Sequence, residues 1–149
     1  MGFADELVKN TKSKQQIEAE EKAYQTKLRN AWQIVLPESV EYEVLSILGK
    51  CSNVAKEGKR SFSMHLNSPY FSVSPFRKKF GHFTYDYQTG QDAEKYFMDH
   101  KASCFNEYKT AIVDRLRKEG LNVKLSNGTL LSLLNDNNTY SQIYIKVKW

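Results

Sequence analysis

The sequence predicts an α+β fold, with two or three helices packed on one face of a small, mainly antiparallel sheet and a long N-terminal helix ahead of them. Three observations carry this. A helical run ends at Lys118-Glu119-Gly120, and the alternating strand Leu121-Asn122-Val123-Lys124-Leu125 starts at once. A second alternation covers Gln142 and Ile143 onward, where Ile143, Ile145, Val147 and Trp149 share one face and Tyr144, Lys146 and Lys148 the other. The same device occurs earlier, where Val54-Ala55-Lys56-Glu57-Gly58 leads into Lys59-Arg60-Ser61-Phe62.

Residues 4–35 contain no Gly or Pro and read as one long helix. Leu7, Ile17, Tyr24, Leu28, Ala31 and Val35 follow a loose helical repeat, while the stretch from Lys9 to Gln16 is wholly polar. The expected arrangement is a partly solvated helix over 1–35 that docks by its second half; a projecting arm for self-association or a partner is the alternative. Leu36-Pro37-Glu38-Ser39 reads as a break and restart, with Pro37 in a first helical turn where its missing N–H is harmless. From there 36–149 reads as a single α+β domain with an aromatic and basic insert at 67–91.

Val40, Val44, Ile47, Leu48, Cys51, Val54 and Ala55 mark the next amphipathic helix, and Gly58 stands where a left-handed C′ residue ends one. In the following strand Phe62, Met64 and Leu66 face inward and Ser61, Ser63 and His65 outward. Within the insert, His82 to Tyr87 suggest a short strand. A further helix is predicted from an Asp92 N-cap to Glu119, with Tyr96, Phe97, Cys104, Phe105, Tyr108, Ile112 and Leu116 on its buried stripe. Ser126-Asn127-Gly128 reads as a turn and 129–134 as a strand, a short helix being the competing reading. The core should include Val44, Leu48, Phe62, Met64, Phe105, Ile112, Leu116, Val123, Ile143, Ile145 and Val147.

The 149 residues suffice for one hydrophobic core without metal or disulfide staples. Apolar residues at 40% and charged residues at 26% are an ordinary globular balance. A formal charge of +5 favours an anionic partner only weakly, since solubility alone accounts for it. Cys51 and Cys104 fall on apolar helical positions and read as buried, unpaired thiols of a reducing compartment, a disulfide being the alternative. No apolar run is long enough to span a membrane, and the start lacks a secretory pattern. The expected location is cytoplasmic.

The steps at Gly58, Phe62, Leu116, Gly120, Leu121 and Val123, with the closing Ile145 and Trp149, resemble a loose group of small proteins from bacteriophages and mobile elements. The resemblance covers about residues 38–66 and 105–149. It implies an α+β fold and a phage-like accessory or inhibitor role, and carries no activity.

No Gly-rich phosphate loop, Cys-x-x-Cys or His-Glu-x-x-His pattern occurs, so no cofactor, metal ligand or catalytic residue is assigned. Composite acid–base sites pairing His65 or His82 with Asp86, or His100 with Asp99, are conceivable; ordinary surface roles are the simpler reading. The candidate site is instead 70–87, where Tyr70, Phe76, Phe80, His82 and Tyr85 interleave with Arg77, Lys78 and Lys79. Docking on a larger protein partner is the leading expectation, because Tyr and Arg supply many interface hot spots. The alternative is a nucleic acid held by this segment, with Lys124, Lys146, Lys148 and His65 extending the surface over the open sheet face. A third reading makes the aromatics a small second core under a long loop.

Overall fold

The computed structural model describes residues 2–71, 85–127 and 143–149. Four helices and a three-stranded antiparallel sheet are seen among them: α1 (Phe3–Asn10), α2 (Lys14–Lys56), β1 (Ser61–His65), α3 (Tyr87–Asp99), α4 (Lys101–Lys118), β2 (Asn122–Asn127) and β3 (Ile143–Lys148). The strand order is β1-β3-β2, which places the last strand at the centre. This is the α+β class that the alternations and glycine stops predict.

The N-terminal helix differs from the expectation at both ends. It divides at Thr11, Lys12 and Ser13, because Ser13 caps α2: its hydroxyl accepts from the Gln16 N–H at 3.1 Å, and the Gln16 side chain accepts from the Ser13 N–H at 2.8 Å. Conversely, no break occurs at Pro37, which sits inside the 43-residue α2. Proline in a helix interior costs roughly 3 kcal/mol. Here Val35 lies buried on one side of it and Val40, Val44 and Ile47 on the other. A single rigid rod lets both groups pack into one core, and that burial outweighs the local defect.

Both glycine stops are as read. Gly58 and Gly120 each take φ 85°, the left-handed conformation that closes a helix. At the first, the Lys59 N–H reaches the Val54 carbonyl and the Gly58 N–H the Ala55 carbonyl, at 3.2 and 3.0 Å.

The helix expected from Asp92 starts earlier and is interrupted. Asp86 is the N-cap of α3, accepting from the Thr89 N–H at 2.8 Å. Residues 85–87 are therefore a cap and helix start rather than the end of a strand. Asp92 is buried within α3, where it accepts from Gln88 and pairs with Lys27 of α2 at 3.6 Å. Gly90 lies inside this helix. Its role is close approach, since a Cβ there would lie 2.5 Å from the Phe71 carbonyl oxygen. His100 separates α3 from α4, ending one and opening the other.

β2 runs on through Ser126 and Asn127, the latter opposite Ile143, so these two residues are strand rather than the turn expected there. The strand-or-helix reading of 129–134 lies outside the described residues. One sheet face is apolar, with Phe62, Val147 and Val123 in one cross-strand row and Met64, Ile145 and Leu125 in the next. It packs under α2 and α4. Of the expected core, Val44, Phe105, Ile112, Leu116, Val123, Ile145 and Val147 are buried, and Leu48, Phe62, Met64 and Ile143 pack against them partly exposed. Cys51 and Cys104 are both buried and free.

Candidate functional site

Of the residues singled out at 70–87, Phe76, Arg77, Lys78, Lys79, Phe80 and His82 lie outside the described residues. Tyr70 and Tyr85 face inward. Tyr70 is half-buried, its ring edge-on to Tyr42 at 4.3 Å, and its carbonyl accepts from the Ser39 hydroxyl of α2. Tyr85 is 4% exposed, and burial, aided by the charge of Glu38, pushes its phenol far above the ordinary value. Both therefore anchor the ends of the segment against the helices.

His82 lies outside the described residues, and the aspartates considered as acid–base partners are engaged elsewhere. Asp86 is engaged as a cap, and the Thr89 N–H holds its carboxyl below the usual range. His100 stacks on Tyr96 at 4.2 Å with Nδ1 3.0 Å from the Tyr96 carbonyl oxygen, while Asp99 pairs with Lys95 at 3.7 Å. Burial pushes the Cys104 thiol up to about 11, so it stays protonated and unreactive near neutral pH. Among the described residues no group of three or more His, Cys, Asp or Glu could hold a metal ion, and no helix is long and apolar enough to cross a membrane.

Three features remain. The first was missed in the sequence: Glu43 of α2 is 1% exposed, and neither carboxylate oxygen has a hydrogen-bond partner among the described residues. Its spacing held the signal, because Glu43 stands three residues after Val40 and four before Ile47, on the buried stripe. Burial raises its carboxyl pKa, partly offset by Lys50, and its charge in turn helps raise the phenols of Tyr70 and Tyr108.

Glu43→Gln is accordingly expected to stabilise the fold at pH 8 by on the order of 1 kcal/mol, and by less at pH 5. The folded protein holds this proton more tightly than the unfolded chain. Wild-type stability therefore falls as pH rises from the usual 4.5 through the raised value, with the full penalty above it. Thermal melts of both proteins at the two pH values measure this. A variant equally destabilised at both would mean that the carboxylate has an ionic partner.

The second feature is the open face of the sheet. The register sets Ser61, Lys148 and Asn122 in one row, Ser63, Lys146 and Lys124 in the next, and His65, Tyr144 and Ser126 in the third. The lysines are exposed, and the His65 and Tyr144 rings lie 4.0 Å apart.

The third is the N-terminal arm. None of α1 is buried, and Phe3, Leu7 and Val8 are 74, 52 and 74% exposed. Ile17 and Tyr24 continue an exposed apolar edge along the first turns of α2, which become buried only at Leu28. A shallow hollow of about 390 Å³ between α2 and α4, lined by Leu36, Pro37, Val40 and Ala111, is rimmed by Arg115, which Glu41 and Glu119 hold in place.

Compared with known proteins, the chain matches no family model, no curated protein and no solved structure.

Proposed function

We propose that the protein is a non-catalytic binding module, of the phage-like accessory or inhibitor kind, that docks on a larger protein through its N-terminal arm. The observation that carries this reading is the uncovered apolar face of α1. Eight residues are too few for a helix to persist in water on its own, even with the Asp5 carboxylate accepting from the Gly2 N–H at 3.2 Å. An amphipathic helix gains most of its stability by burying its apolar side. Phe3 and Leu7 stand one turn apart, as do Ala4 and Val8, the spacing of anchors that enter an apolar groove on a partner. Asp5 and Glu6 beside them disfavour an anionic membrane surface, which selects basic polar faces.

The test is a nuclease-treated pull-down and cross-linking comparison between the wild type and Leu7→Asp/Val8→Asp. Both positions are exposed, so the double variant should keep its stability within about 0.5 kcal/mol. The expected result is a stoichiometric protein partner of the wild type whose capture falls about tenfold or more in the variant. Equal capture by both, or capture of nothing but a second copy of this chain, would sink the reading.

A further inference from the structure

We propose that the open face of the sheet is a binding site for single-stranded nucleic acid, independent of the arm. Charge is the first ground. Lys124 of β2 lies directly opposite Lys146 of β3, and Lys148 follows two residues along the same face. Like charges opposed across strands repel mildly, so an anion laid over them relieves an unfavourable contact. Among the described residues none of these lysines makes an ion pair, and the nine positions of the three rows include no Asp or Glu. A ligand with several negative charges at close spacing, such as a phosphodiester chain, complements this row.

The second ground is the aromatic end of the same face. His65 and Tyr144 occupy neighbouring strands with ring centroids 4.0 Å apart and their planes tilted by 38°. They adjoin the Lys146–Lys124 row, one step of two residues along each strand. A π-face beside a row of cations suits an unstacked base with its phosphates running over the lysines. In a duplex the bases are already stacked and their faces are unavailable, so the site favours single strands. An acidic peptide would satisfy the lysines but leave the ring pair unused.

Fluorescence anisotropy with labelled oligo(dT), oligo(rU), a DNA duplex and poly-glutamate tests this on the full chain. Both single strands should bind at low salt. The plot of log K against log salt should slope by about −0.7 per phosphate contact, or about −2 for three lysines. Lys124→Gln/Lys146→Gln/Lys148→Gln should weaken binding about tenfold or more and flatten that slope. Tyr144→Ala should weaken it about tenfold while leaving the slope unchanged, because it removes stacking and no charge. Melting curves of every variant control for folding, and Lys146→Gln alone replaces the triple variant if that fails to fold. The proposal is overturned by no binding at low salt, by unchanged binding in the lysine variants, or by poly-glutamate or duplex binding as tightly as the single strands.

Discussion

Trp32→Ala is expected to lower the unfolding free energy by about 3–5 kcal/mol, the largest effect of any single truncation argued for this chain. Trp32 is fully buried, and its ring lies 5.7 Å from Phe97 and 6.1 Å from Phe71, which are themselves 5.4 Å apart. The three rings bring together α2, α3 and the chain just after β1. Removing the indole leaves a cavity where three pieces of chain from different parts of the sequence meet. The melting temperature should fall by roughly 2–4 °C per kcal/mol for a chain of this size. Trp32→Phe is the informative partner. It keeps an aromatic ring and removes an indole N–H that has no acceptor among the described residues, so its cost should stay below about 1.5 kcal/mol. Urea unfolding followed by circular dichroism measures both. A loss under about 1 kcal/mol for the alanine variant would show that the ring cluster is not what fastens α3 to α2.

Ile145→Ala should cost about 2–5 kcal/mol. Ile145 is fully buried on the central strand, between Met64 and Leu125 in the flanking strands. Its neighbour Lys146 points to the opposite face, and Lys146→Ala should change stability by less than about 0.5 kcal/mol. The contrast between adjacent residues tests the face assignment directly. An Ile145→Ala loss below about 0.5 kcal/mol would mean that the strand's faces are inverted and that the lysine row is not on the open side.

These two residues also mark what could be read from the chain. Ile145 was legible because alternation is a local property: every second residue of a strand shares a face. The same logic found the outward Lys146, Lys148 and His65. Trp32 stands four residues after Leu28 and three before Val35, so its burial could be read from the same repeat, but the rings that surround it, from residues 71 and 97, could not. The role of Gly90 was hidden for the same reason, since the backbone it accommodates belongs to Phe71. The cap at Ser13 was available as Ser-x-x-Gln and was hidden by reading helical continuity from the absence of Gly and Pro alone. The pairing of Lys124 with Lys146 needed the strand order, which places β3 between two strands far apart in sequence.

By itself, then, the sequence determined the α+β class, the glycine stops at 58 and 120, the faces of β1 and β3 and most of the core below them. Each follows from torsional limits or a side-chain period acting over a few residues. The passage of α2 through Pro37, the interruption at His100, the ring cluster around Trp32 and the assembly of one basic, aromatic sheet face were decided by tertiary structure. In those places packing between distant segments outweighs or redirects a local preference worth at most a few kcal/mol.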